Sequence, residues 1–166
     1  MASMFLCDHM LIRLGRWLRA AGYDTAIASG AASDRALLAQ AVAENRLVVT
    51  RDRKLGEFRE APGRVLLLRA GTIEACAAEL TERRAIDWLY RPFTRCLDCN
   101  MPLLPVSPEL WQSVPETSRA TGGDLRCCPQ CRKLYWPGGH VRRMRHRLER
   151  WRNSDFVETI DETRQM

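Results

Sequence analysis

Two Cys-x-x-Cys pairs, Cys96-Leu-Asp-Cys99 and Cys128-Pro-Gln-Cys131, constrain the second half of this chain more than any other feature. Each pair makes a tight turn that aims two sulfurs at one point. Two such turns complete a tetrahedral four-sulfur site of the kind that zinc fills. Four thiolates leave no open position, so the zinc is expected to be structural. Cys127 offers a competing register, but only Cys128 stands at two-residue spacing from Cys131. His140 could replace a ligand, but the two Cys-x-x-Cys turns already supply four. A redox pair would need a single Cys-x-x-Cys beside a βα turn. Seven cysteines is an odd number, which suits four on metal and three as free thiols in a reducing cytoplasm. Cys7 and Cys76 lie in apolar segments and read as core.

The first half has a different rhythm. Residues 4–7 read as a short buried strand, and His9 to Ala21 shows helical period, with Met10, Leu11, Leu14, Trp17, Leu18 and Ala21 on one face. Gly22 suits the helix end, and Tyr23 to Ala28 predicts a second strand. Ser33 can cap a helix over 34–45 that presents Leu37, Leu38, Ala41 and Val42. Leu47–Thr50 and Val65–Leu68 are further strands, with a short helix over 53–60 between them. Thr72 can cap a helix to about Arg84, with Ile73, Cys76, Ala77 and Leu80 inward. Strands alternating with helices predict an α/β domain with a mainly parallel sheet. The continuous apolar strands agree, because such a sheet is covered on both faces.

The rhythm stops near Arg91-Pro92. The expected units are 1–90, an α/β domain; 91–140, a four-cysteine zinc ribbon; and 141–166, a basic helix and polar tail. No apolar run approaches the ~20 residues that span a bilayer, and the N-terminus has no signal-peptide pattern. The expected location is cytoplasmic. The net charge of +6 is uneven: residues 1–90 carry 13 Lys/Arg against 11 Asp/Glu, and residues 91–152 carry 12 against 5. A basic surface serves solubility, but beside a zinc module it points to a polyanion.

Asp8 follows the first strand directly, and Asp52 follows the third after one residue. If those strands are neighbours, with the second strand on the other side of the first, both aspartates reach the edge where α/β sheets place their sites. Asp34, at the start of the second helix, can point to the same edge. Gathered carboxylates repel unless protonated or bound to a cation, and oxygen-only ligands favour Mg²⁺ or Mn²⁺. The plainer alternative is that Asp34 and Asp52 cap helices. Asp24 is expected to pair with a helix arginine, and Glu57 is a weaker acidic candidate. Arg13, Arg16 and Arg19 recur opposite the apolar stripe. They read as a solvated face, or, for Arg13 and Arg16, as phosphate contacts together with Arg51 and Arg53. Trp111, Tyr135 and Trp136 suit either base stacking or packing of a small zinc module. Arg142, Arg143 and Arg145 lead a run of six arginines through Arg152 that favours RNA or another polyanion.

These stretches together resemble the PIN-like ribonuclease domain family named for the C-terminal region of the worm Mut-seven exonuclease. The resemblance is carried by Phe5-Leu-Cys-Asp8, Arg13-Leu-Gly-Arg-Trp-Leu-Arg19, Gly22-Tyr23-Asp24, Thr50-Arg51-Asp52, Arg95-Cys96-Leu-Asp-Cys99-Asn100, Cys128-Pro-Gln-Cys131 and Tyr135-Trp136 with Gly139-His140. It spans roughly residues 4–146. It implies a PIN-like α/β domain followed by a zinc ribbon, and a ribonuclease whose catalytic Mg²⁺ or Mn²⁺ is held by Asp8, Asp34 and Asp52. PIN nucleases usually gather four acidic residues, and three are placed here. The expected function is hydrolysis of RNA phosphodiester bonds, with the zinc ribbon and basic segments positioning RNA. The alternatives are a non-catalytic RNA-binding or ribosome-associated protein with the same fold, and a protein-interaction adaptor.

Overall fold

The computed structural model describes residues 3–112, 114, 116–120 and 124–154. The polar tail expected at the C-terminus lies almost wholly outside them. The first half builds β1 (Phe5–Cys7), α1 (Ile12–Ala20), β2 (Thr25–Ile27), α2 (Asp34–Ala43), β3 (Leu47–Thr50), β4 (Val65–Leu67) and α3 (Ile73–Arg84). The strands form one parallel sheet in the order β2-β1-β3-β4. The second strand therefore lies on one side of the first and the third on the other, as right-handed crossovers require.

Both faces of this sheet are covered, which explains its unbroken apolar strands. Successive side chains alternate across the sheet. Phe5, Cys7 and Val49 join one core with Leu14, Leu18 and Leu80, while Leu6 and Val48 join another with Leu37, Leu38 and Ala41. Met10 and Val42, expected on the inward faces of their helices, are 47% and 46% exposed. Residues 9–11 form a 3-10 turn rather than part of the α-helix, and this turn buries Leu11 and leaves Met10 outside. Gly15 lets α1 lie close on the sheet: a Cβ there would stand 2.8 Å from Ile27 and 3.3 Å from Cys7.

The second half forms a three-stranded antiparallel sheet, β5 (Leu104–Pro105), β6 (Arg126–Cys127) and β7 (Leu134–Tyr135), with short helices α4 (Pro108–Trp111) and α5 (Glu116–Ala120) between β5 and β6. Its buried cluster is little more than Cys96, Leu103 and Cys128, too small to stabilise a module without a staple.

The chain then returns. Helix α6 (Gly139–Arg152) packs on α3 of the first half and buries Leu148 and Trp151 completely. Trp151 packs edge-to-face with Trp17 and Trp88, with ring centroids 5.0 and 4.7 Å apart. Truncating such a residue to alanine costs about 3–5 kcal/mol, so the basic helix is held as firmly as any core helix. Among the described residues no helix is long and apolar enough to cross a membrane.

Candidate functional site

Three features share the C-terminal edge of the parallel sheet. Asp8 stands immediately beyond β1, and its amide donates to Val49 O on β3 at 3.0 Å. Thr50, the last residue of β3, is fully buried. Its hydroxyl donates to Asp8 Oδ2 at 2.7 Å and accepts from the Asp52 amide at 2.9 Å. One hydroxyl thus orders both acidic positions. Asp52 Oδ1 also accepts from the Lys54 amide at 2.9 Å, capping the 3-10 turn Arg53–Glu57, so the capping alternative holds for one of its oxygens. Asp8 Oδ1 and Asp52 Oδ2 receive no hydrogen bond from the described residues.

Asp34 opens α2, but its cap is Ser33, whose Oγ accepts from the Ala36 amide. That leaves the Asp34 carboxylate out of the capping role the plainer alternative gave it. No hydrogen bond among the described residues joins it to Asp8 or Asp52. The three aspartates also do not form a metal-sized group among the described residues.

Arginines surround this edge unevenly. Arg13 is exposed one turn into the first helical segment. Arg51, Arg53 and Arg69 line a hollow of about 430 Å³ beside Leu67 and Leu68. Arg69 escaped the sequence reading, although it stands two residues beyond β4 as Asp52 stands two beyond β3. Arg16 lies 3.7 Å from Asp98, within the first cysteine turn.

Arg19 corrects the expectation of a solvated arginine face. It is 5% exposed. Its Nε donates to Thr25 O at 2.8 Å, and its Nη1 to Leu97 O at 2.8 Å and Asp98 O at 2.7 Å. It therefore ties the edge strand β2 to the first cysteine turn. Asn100 makes the same connection from the other side: its Oδ1 accepts from the Thr25 amide at 3.0 Å, and its Nδ2 donates to Asp24 at 2.8 Å. Asp24 pairs not with a helix arginine but with Arg46, in the turn before β3, and with Arg95 of the second half. Burial alone would raise its pKa, but the bonds from Arg46 and Asn100 and the charge of Arg95 outweigh that and lower it.

The four sulfurs of Cys96, Cys99, Cys128 and Cys131 lie within 4.8 Å of one another. That is close to the ~3.8 Å edge of a tetrahedron with Zn–S bonds of about 2.3 Å. They can hold one metal ion such as zinc. The two turns are copies of one backbone design. Asn100 N donates to Cys96 O, and Arg132 N to Cys128 O, both at 3.0 Å. The residue after each second cysteine is left-handed, Asn100 at φ 68 and Arg132 at φ 63. Cys127 is outside the group, with its sulfur against Cys128 O at 3.5 Å. Tyr135 is not a free stacking surface. Its hydroxyl lies 3.1 Å from Cys96 Sγ and accepts from Leu97 N at 3.0 Å. Burial alone would raise the Cys96 thiol. The Tyr135 hydroxyl and the Cys99 and Asp98 amides hold it down at about 6, ready to be a thiolate ligand. Trp111 and Trp136 remain substantially exposed.

The arginines of α6 divide by position. Arg147 is structural: it pairs with the buried Glu74 at 2.5 Å and lies over the rings of Trp17 and Trp151. Arg145 sits over Phe93 at 5.4 Å. Arg142 and Arg143 are exposed on the first turns of the helix, and among the described residues the Arg142 guanidinium bonds only Pro137 O, at 3.5 Å.

A sequence model of the Mut7-C RNAse domain family matches residues 3–148 of the chain. No curated protein and no solved structure matches it.

Proposed function

Because the chain belongs to the Mut7-C RNAse domain family, we propose that it is a metal-dependent ribonuclease hydrolysing RNA phosphodiester bonds at the C-terminal edge of its parallel sheet. The observation that carries this reading is the Thr50 bridge. A buried hydroxyl orients Asp8 and the Asp52 amide at the ends of adjacent strands, where α/β sheets place their chemistry. A helix cap accounts for Asp52 alone and gives no reason to orient Asp8.

The donor chemistry fits a hard divalent cation. Asp8 and Asp52 each keep an oxygen that takes no hydrogen bond from the described residues, and Asp34 is the third donor in the assignment. Carboxylates without His or Cys suit Mg²⁺ or Mn²⁺. Bound there, such an ion supplies an activated water and neutralises charge at the phosphate. The protein's own part is to hold and orient. Thr50 fixes the Asp8 carboxylate. Arg51, Arg53, Arg69 and Arg13 present guanidinium forks to phosphates around the acidic edge. Cys96, Cys99, Cys128 and Cys131 hold a structural zinc. Arg142, Arg143 and the rest of the basic surface draw in the RNA backbone.

A second reading is a non-catalytic RNA-binding protein on the same fold. The observation favouring it is the separation of the three aspartates, which do not gather as the four cysteines do. One assay decides between the readings: cleavage of labelled single-stranded RNA with Mg²⁺ or Mn²⁺, comparing wild type with Asp8→Asn purified in parallel. Metal-dependent cleavage lost in the variant supports the nuclease. Equal cleavage by both assigns the activity elsewhere, and RNA binding without cleavage supports the second reading.

A further inference from the structure

Opposite the acidic edge, the first half of the chain meets the cysteine module around a hollow of about 220 Å³. Its walls include Tyr23, Asp24, Tyr90, Arg91, Thr94 and Arg95. None of these belongs to the acidic site or to the metal ligands.

The aromatic wall is a rigid platform. Tyr90 stacks on Tyr23 with centroids 5.1 Å apart and planes at 21°. Tyr23 is buried, and its hydroxyl is fixed at both ends by Asp87: it accepts from the amide at 3.1 Å and donates to the carbonyl at 3.2 Å. Tyr90 is 42% exposed, so the buried ring holds an open one in place. Large exposed aromatics carried on rigid supports are the usual means of stacking a nucleobase.

The cationic wall is also preset. The Arg91 amide donates to Ala21 O at 2.9 Å, and the Thr94 hydroxyl donates to Arg91 O at 2.7 Å. Gly22, at φ +99, is required beneath it, because a Cβ there would stand 2.2 Å from Arg91 O. The backbone of Arg91 is thus pinned, while its guanidinium makes no hydrogen bond or ion pair among the described residues. Asp24, the one acid among the described lining residues, is matched by Arg46, Arg95 and Asn100 and leaves this lining positive overall. An open ring beside an unspent guanidinium, both on fixed backbone, suits an aromatic base linked to a phosphate.

We propose that Tyr90 and Arg91 form a second RNA subsite, in which one nucleotide outside the scissile position stacks on Tyr90 and gives its phosphate to Arg91. The subsite rests on the ribonuclease reading for its ligand, but not on catalysis. From Met4 at the hollow to Asp8 at the acidic edge is four residues of extended chain, about 13 Å. The subsite is therefore reached only by RNA a few nucleotides longer than the segment at the acidic edge. It should contribute to affinity for long RNA and leave bond cleavage itself untouched.

The test uses the full chain and an oligouridylate length series, with one 4-thiouridine per oligomer for crosslinking. Tyr90→Ala and Arg91→Ala should each weaken binding of the long oligomers about fivefold or more, the lower end for loss of one base stack. Short oligomers should bind as to wild type, and kcat on them should not change. Tyr90→Phe, which keeps the ring, should restore binding. Crosslinks from long oligomers should map to the segment around Tyr90. Full affinity of Tyr90→Ala for long RNA overturns the subsite alone, as does equal weakening of long and short oligomers. If wild type binds no RNA of any length, both the subsite and the ribonuclease reading fall.

Discussion

The hydroxyl of Thr50 donates to Asp8 Oδ2 at 2.7 Å, although Asp8 follows β1 and Thr50 ends β3, with α1, β2 and α2 between them in sequence. Thr50 has no exposed surface, so this bond sets the direction of a half-buried carboxylate. Thr50→Ser should keep it. Thr50→Val should remove it, strand the Asp52 amide, destabilise the fold by about 1–3 kcal/mol and sharply reduce RNA cleavage. Comparing kcat/KM and melting temperature across the two variants checks this, and equal activity in Thr50→Val would remove the hydroxyl from the site.

Asp8→Asn should abolish cleavage without lowering the melting temperature. The amide oxygen can still accept from Thr50, so packing is kept. Removing the charge also removes its repulsion with Asp52, which shares the Thr50 bridge, in the metal-free protein. Asp52→Asn should behave alike, because its Oδ1 cap on Lys54 also survives. Asp34→Asn should have a smaller effect, since no hydrogen bond among the described residues joins it to the other two. Cleavage rates and thermal melts of the metal-free variants measure both halves of this expectation.

The purified protein should carry one zinc per chain, measured by elemental analysis. Cys128→Ser should lose the metal and unfold the small sheet, whose folding depends on it. Cys127→Ser should keep both, because that sulfur stands outside the four-cysteine group and makes just a long contact to the Cys128 carbonyl, at 3.5 Å. Metal loss should also be felt in the first half: hydrogen exchange at the Thr25 amide should speed up, since its acceptor is Asn100 beside Cys99. Unchanged exchange there after chelation would show that the two halves are not coupled.

Asp24 provides a pH signature for that junction. Its carboxyl is held below its ordinary value of 3.8, because the bonds from Arg46 and Asn100 and the charge of Arg95 overcome the cost of burial. A depressed pKa in the folded state contributes stability that is fully present above the unfolded value and is lost as pH falls through the folded one. Asp24→Asn should therefore melt below wild type at neutral pH, and the gap should close as the pH drops below about 4. A gap that stays constant down to pH ~2, well under the ordinary carboxyl range, would mean that the ion pairs contribute nothing.

The arginines of α6 should separate into two classes. Arg147→Ala leaves Glu74 buried without its partner and should cost about 3–5 kcal/mol of stability. Arg142→Ala with Arg143→Ala should leave the melting temperature alone, weaken RNA binding and flatten its dependence on salt. An unchanged salt slope in the double variant would assign that end of the helix to another partner.

Much of this was legible in the sequence because it is local. The cysteine spacing, the caps at Ser33 and Thr72, the short apolar strands and their αβ alternation all depend on contacts within a few residues. The cluster of four sulfurs and the β2-β1-β3-β4 order agree with that local reading. What stayed hidden were polar side chains whose partners are far away along the chain. Arg19 has the spacing of a solvated arginine, yet it is buried by carbonyls 78 and 79 residues on. Tyr135 has the look of a stacking ring, yet its hydroxyl is committed to the Cys96 turn. Arg147 sits in a basic run, yet it neutralises Glu74 on α3. Helical periodicity sorts apolar from polar residues, because burying apolar surface is favourable wherever it is done. It cannot tell which buried charge will find a partner, because that free energy exists only once the tertiary structure brings donor and acceptor within about 3 Å of each other.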